Sequence, residues 1–454
     1  MELKRRDGNE VFSGSGTIRQ NERRELVFNL LDTQYGEGVK TAIEECNKHE
    51  LSAGQIIPMG NYYDLQVTDN SDKTWRSLPT FNVNRAYGPN KGVVFSGKIR
   101  ELWHIENHAE LANKLAKAQN VPATSFFKQP YWDYYCFSDI GRLPCNASVE
   151  NSTRVAGRET KKTTSFSVSR AESDMFVFEL HKDEGMVQFL VQGKDDCSYS
   201  DNIEYCFVEA LQFVLGSPFD WEVMVICSGN IEEVGIRPLP TGQQRIKMLP
   251  PLTFDTHKYC KEFWQLYQKY LTYIISYTGK GWHPISRRVF TMQHGMSALW
   301  PIQMLVAGVE IDGLLNDQFD NMIPPPPAIK QSVDEVLGLI EDYKIKGGAA
   351  IDDDSLSRIK NSLGRLSNST SARNKLRKLV AESVIRDADV ESWNFVRNKA
   401  AHAVDSEMEI SQDNTQHLNR VLVLFYHLIF HRIGYQGIYN DYGELKYPIK
   451  TYPP

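Results

Sequence analysis

The chain has 454 residues, of which 41% are hydrophobic and 24% charged, and a formal net charge of -6. This is the balance of a globular protein long enough for two or three domains, and its acidity argues against broad, nonspecific coating of nucleic acid. No run of about 18 apolar residues occurs, which argues against a membrane-spanning helix. The opening Met1-Glu2-Leu3-Lys4-Arg5-Arg6-Asp7 leads into polar sequence rather than an apolar signal region, so a cytoplasmic location is expected.

The first half reads mainly as strand. Segments 16–30 and 92–99 look like strands bounded by glycine, and a helix is expected over 105–118. His104 and His108 have the four-residue spacing of metal ligands, but no third ligand is evident. The dense aromatic run Tyr131-Trp132-Asp133-Tyr134-Tyr135-Cys136-Phe137 fits a core or interface better than a base-stacking surface. Residues 146–169, rich in serine and threonine, read partly as a long exposed loop. Beyond them, Phe166, Val168 and Arg170, then Phe176, Phe178 and Leu180, alternate with more polar neighbours. Lys182-Asp183-Glu184-Gly185 supplies a turn before Val187, Phe189 and Val191, which predicts a hairpin. Residues 202–215 carry a helical stripe of Ile203, Phe207, Ala210, Leu211 and Val214; Asp201 with Glu204 forms a capping box, and Gly216 and Pro218 stop the helix. A strand over 221–226 follows.

Seven cysteines, Cys46, Cys136, Cys145, Cys197, Cys206, Cys227 and Cys260, are scattered and without a Cys-x-x-Cys pair, so reduced thiols are expected rather than a disulfide framework or zinc site. Asn146-Ala147-Ser148 and Asn151-Ser152-Thr153 match glycosylation acceptors only if the protein is secreted.

From Pro250-Pro251 the pattern turns helical. Helices are expected over 258–276, 297–319, 328–343, around Leu356, Ile359, Leu363 and Leu366, and over 372–385, 390–404 and 416–433. Prolines 324–327 break the chain between two of them. Asp352-Asp353-Asp354 precedes a helix and complements its dipole, a simpler role than cation binding. The fold class is therefore α+β: a β-rich N-terminal domain over 1–250, an all-α bundle over 251–440 and a C-terminal tail over 441–454.

One segment of the bundle carries chemistry. In Trp393-Asn394-Phe395-Val396-Arg397-Asn398-Lys399-Ala400-Ala401-His402, a cation that cannot deprotonate stands five positions before an acid-base imidazole. At about 100° per residue, Val390, Trp393, Ala400, Ala401 and Val404 form an apolar stripe with Arg397 near its centre. An arginine placed so must be paired or face a partner surface or an anion. Between Arg358 and His402 there are ten basic residues against four acidic ones, enough to draw a polyanion to one face. The last helix offers Arg420, His427 and His431 on its polar side; with Lys399 these are the candidate RNA contacts.

Arg397, Asn398 and His402, with the small Ala400 and Ala401 and the aromatic Trp393, resemble the Arg-Asn-x-x-x-His motif of the HEPN superfamily, helical domains many of which are metal-independent ribonucleases. The resemblance extends more weakly over 255–440, including Gly308-Val309-Glu310-Ile311-Asp312-Gly313-Leu314-Leu315 upstream. Residues 209–226 are similar to the region before the HEPN domain in ApeA-like phage-defence proteins. The resemblance implies an endoribonuclease with no cofactor, in which His402 moves protons, Arg397 stabilises phosphoryl charge and Asn398 orients the pair. It also implies a homodimer through the helical domain, RNA (transfer RNA among the candidates) as substrate, and an antiviral abortive-infection role in which the first half senses a phage protein or stress cue. Toxins of this type silenced by nucleotidyl transfer carry a tyrosine two positions after the histidine; here that position is Val404. A noncatalytic HEPN module that binds RNA or a protein partner is the alternative.

Overall fold

The computed structural model describes residues 1–6, 11–32, 62–77, 83–87, 93–107, 131–138, 143–155, 158–183, 186–194, 203–228, 231–238, 248–253, 258–279, 281–319, 327–345, 352–368, 370–401 and 412–454. The chain is an α+β protein of two compact units: Met1–Tyr199 with Phe219–Gln244, and Ser200–Pro218 with Arg245–Pro454. The helix after Tyr199 belongs with the second unit, and so does the C-terminal segment 441–454.

The first unit is built on antiparallel strands. In its larger sheet, strand order runs Ala147–Val155, Arg158–Glu172, Phe176–Asp183, Met186–Gly193, Trp132–Ser138, Val223–Ser228, Ile231–Ile236, Leu102–Asn107, Thr74–Ser77, Tyr63–Thr68, Glu2–Arg5, Val11–Ser13. A smaller sheet orders Ser15–Gln20, Leu26–Asp32, Val93–Ile99 and Val83–Tyr87. Phe12, Phe28, Leu30, Leu65 and Phe95 share one apolar core between strands of both sheets. The expected hairpin forms in the register set by its period of two, Phe178 opposite Val191 and Leu180 opposite Phe189.

Two expectations here are corrected, and the aromatic run is core as expected. Residues 105–107 continue the strand Leu102–Asn107, in which His104 is buried with Nδ1 2.8 Å from the Thr74 carbonyl oxygen; the rest of that expected helix, with His108, lies outside the described residues. The segment expected as a loop pairs instead as two strands, Thr153 opposite Thr160, as β-branched residues favour. Tyr131, Asp133, Tyr135 and Phe137 alternate onto one buried face, where both tyrosine hydroxyls donate to Asp133 Oδ2 at 2.6 and 3.0 Å. Those rings are core.

In the second unit the helices are α1 (Ile203–Leu215), α2 (Cys260–Ile275), α3 (Pro284–Gly295), α4 (Trp300–Phe319), α5 (Pro327–Ile345), α6 (Asp353–Asn368), α7 (Ala372–Ala381), α8 (Asp387–Ala401) and α9 (Gln412–Ile433). Gly216 ends α1 at φ 64°, where a side chain would be strained. Helix α3 was not expected, although its start is written in His283-Pro284: proline stands at the first turn and the imidazole accepts from Ile285 N at 3.0 Å. All ten residues from Val421 to Phe430 are buried, so α9 is the central helix of the bundle. A short hairpin, Ile438–Asn440 with Ile449–Thr451, closes the chain.

Candidate functional site

Helix α8 carries the motif. Its first turn holds Asp387 and Asp389, favourable at the positive end of the helix dipole. Asp389 is fully buried, and Arg386 pairs with it through Nε and Nη2 at 2.8 and 2.9 Å. Ser392, also buried, donates from Oγ to the Ala388 carbonyl at 2.9 Å. These polar residues belong to the buried face, together with Val390, Trp393 and Val396.

That changes the position of Arg397. The buried face is rotated by roughly 60° from the stripe drawn through apolar residues alone, at about 100° per residue, so Arg397 lies at its margin and is 55% exposed. Its Nε is 3.1 Å from Asp312 Oδ2 on α4. The Trp393 indole donates to the Gly308 carbonyl at 3.3 Å, and a Cβ added at Gly308 would meet Arg397 Cα at 3.5 Å in ordinary van der Waals contact, so α4 and α8 pack closely here. The guanidinium carbon lies 5.4 Å from the Trp393 ring centroid. Burial pushes the Asp312 carboxyl up, and the Arg397 guanidinium pulls it the other way. Asp312 is the ion-pair partner of Arg397 among the described residues. Asn398 is exposed beside it. His402 and Val404 lie outside the described residues.

The other edge of α8 meets α9. Lys399 Nζ donates to Asn414 Oδ1 at 3.1 Å and sits 5.4 Å from the Phe395 ring centroid. Phe395, 37% exposed, stacks on His417 with centroids 4.2 Å apart, and His417 Nδ1 lies 3.1 Å from Ser392 Oγ. Burial lowers the His417 pKa, and the nearby positive charges of Arg420 and Lys399 act in the same direction. Neither Phe395 nor His417 stood out in the sequence, although Phe395 is the aromatic of this helix that falls off its apolar stripe.

The remaining candidates separate. Arg420 is half-buried on α9, against Gly443. His427 does not lie on a polar face: it is fully buried among Tyr439, Phe430 and Tyr452, neither ring nitrogen has a hydrogen-bond partner among the described residues, and burial pushes its pKa down to about 3. It cannot touch RNA in this fold. The charge-free decapeptide from Val421 to Phe430 was the signal that this part of α9 is enclosed on every side. His431 is partly exposed and stacks on Phe319, centroids 6.0 Å apart.

Among the described residues no group of three His, Cys, Asp or Glu side chains could hold a metal ion. Asp352 instead caps α6, accepting from Ser355 N and Oγ at 2.8 and 2.7 Å, and Asp354 pairs with Arg358 at 3.1 Å. No helix among the described residues is long and apolar enough to cross a membrane. No family model, no curated protein and no solved structure matches the chain.

Proposed function

We propose that the helical unit is a metal-independent endoribonuclease of the HEPN type, cutting RNA by 2′-hydroxyl attack as the effector of an antiphage abortive-infection response. The observation that carries this reading is the half-exposed Arg397 guanidinium, presented next to the exposed Asn398. Such a planar fork suits a phosphate.

In the proposed reaction the 2′-oxygen attacks the adjacent phosphorus and the bond to the 5′-oxygen breaks, leaving a 2′,3′-cyclic phosphate and a 5′-hydroxyl. One proton leaves the 2′-hydroxyl and one is delivered to the departing oxygen; His402 is the residue suited to this traffic. Arg397 stabilises charge on the phosphoryl oxygens and Asn398 orients the pair. Side chains five positions apart on a regular helix diverge by about 140°. A homodimer whose helical units share a cleft supplies the missing convergence. Single-stranded loops, those of transfer RNA included, expose the backbone such a cleft needs. The N-terminal unit is assigned the sensing of a phage protein or stress cue by analogy alone.

The pair Arg397–Asp312 favours a rival reading, in which the arginine clamps α8 to α4 in a noncatalytic RNA-binding or protein-interaction module. Purified protein incubated with mixed RNA separates the two. The nuclease reading expects fragments with wild type and none with folded Arg397→Ala or His402→Ala; the rival expects intact RNA throughout.

A further inference from the structure

We infer that the seam between α8 and α9 is a base-binding subsite for single-stranded RNA, in which Phe395 and His417 receive an unstacked base and Lys399 and Arg420 hold the neighbouring phosphates. The inference rests on the RNA reading above but concerns a different edge of α8 from Arg397.

Four observations converge. Phe395 is 37% exposed, whereas Trp393 on the same helix and Phe425 and Phe430 on the facing one are fully buried. Its ring is stacked on His417 at 4.2 Å with an interplanar angle of 26°, and the imidazole is held in that plane by its contact to the buried Ser392 hydroxyl at 3.1 Å. The Lys399 ammonium is held over the Phe395 ring, 5.4 Å from its centroid, by Asn414, itself buried, so the cation is positioned before any ligand arrives. Arg420 follows His417 by three residues on α9, close enough to act on its charge, and has no hydrogen-bond or ion-pair partner among the described residues.

A fixed aromatic platform flanked by two cations matches how single strands are bound. Bases of any identity offer a π face, while paired bases in a duplex do not. Substrate choice by this subsite is therefore for unpaired RNA rather than for a sequence. On this account the seam carries a nucleotide flanking the scissile linkage, and Arg397 contacts the linkage itself.

The test measures binding of the full chain to a short labelled 2′-O-methyl oligonucleotide, which lacks the free 2′-hydroxyl and so cannot be cut. Wild type is expected to bind the single strand and to bind the matched duplex far more weakly. Phe395→Leu should weaken single-strand binding about tenfold or more, and Lys399→Gln should reduce the slope of log affinity against log salt by about 0.7. In Phe395→Trp, binding is retained and the added indole emission is quenched by the oligonucleotide; this variant decides the question should Phe395→Leu fail to fold. Wild-type affinity in a folded Phe395→Leu, indole emission in Phe395→Trp that the oligonucleotide leaves unquenched, no binding by wild type, or equal binding of duplex would each overturn the subsite. Oligonucleotide binding through Phe395 without cleavage of natural RNA would remove the nuclease reading and leave the subsite standing; cleavage unaffected by Phe395→Leu would do the reverse.

Discussion

Arg397 and Asp312 face each other across the junction of α8 and α4, Nε to Oδ2 at 3.1 Å, with side-chain exposures of 55% and 27%. A pair this open to water contributes about 1 kcal/mol or less. Asp312→Asn should therefore change stability by no more than about that amount in urea unfolding, and RNA cleavage should persist. Arg397→Ala should lose about a hundredfold or more in cleavage rate with the fold intact, the scale seen when a charge-stabilising donor is removed. Equal loss in both variants would mean that the pairing, not the charge the guanidinium presents to RNA, matters.

Arg386 presents a different balance. It binds the fully buried carboxylates of Asp389 and Asp441 together, Nη2 reaching Asp389 Oδ1 at 2.9 Å and Asp441 Oδ1 at 3.1 Å. Removing it strands the Asp389 carboxylate and leaves Asp441 with Lys450 at 2.9 Å as its remaining ion-pair partner. Arg386→Met should destabilise the helical unit by about 3–5 kcal/mol, read as a shift of its denaturation midpoint. Because Asp441 lies in the C-terminal segment, truncation before it should be of similar severity.

His427 makes stability fall in acid. Its ordinary pKa of 6.5 is pushed down to about 3 by burial in the fold, so between those values the unfolded chain binds a proton that the folded chain refuses. Stability is intact above about pH 6.5 and is lost as pH falls toward 3, by at most about 1.4 kcal/mol per pH unit from this group. In His427→Leu that slope should flatten between pH 6 and 4, on the order of the window the two pKa values define. His283, lowered to about 4 by burial, leaves a residual slope of the same sign.

Glu209 works in the opposite direction. Enclosure beside Tyr270 and Cys206 pushes its carboxyl up to about 7 from 4.5, against a hydrogen bond from Ser286 that lowers it. The folded state thus holds a proton that the unfolded state releases, and the stability it supplies below pH 4.5 is lost as pH rises through 7. Glu209→Gln should leave the melting temperature unchanged at pH 5 and raise it at pH 8, a gain of roughly 1–2 kcal/mol after allowing for partial exposure.

Periodicity in the sequence located α1, α2, α4 and α9 because each has a stripe that apolar residues alone describe, and Gly216 and Pro218 marked a stop that the backbone obeys. It placed Arg397 wrongly for a physical reason: the face α8 buries includes Asp389 and Ser392, polar residues satisfied by Arg386 and by the Ala388 carbonyl. A pattern of apolar positions does not register them. Asp312 and His417 were missed because their partners are 85 and 25 residues away, Arg397 and Ser392. His427 was misread because a histidine in an otherwise apolar run was assigned to a polar face, when the absence of charge from Val421 to Phe430 pointed to full enclosure.

The proposed metal independence of the reaction also expects chelation to leave activity untouched. RNA fragmentation by wild type should proceed at the same rate with and without EDTA, measured on a labelled substrate; loss on chelation and recovery on adding a divalent cation would place the chemistry elsewhere.

The central claim is tested most directly at the cut linkage itself. Once a cleavage position is mapped on a synthetic RNA, the same strand is made with a single 2′-deoxy nucleotide immediately 5′ of that linkage, and both are incubated with the purified protein and with folded Arg397→Ala and His402→Ala. The account predicts that wild type cuts the ribo strand to a cyclic phosphate and a 5′-hydroxyl, spares the deoxy-substituted linkage, and that neither variant cuts. Equal cleavage of both strands, or cutting that survives loss of Arg397 and His402, would contradict it.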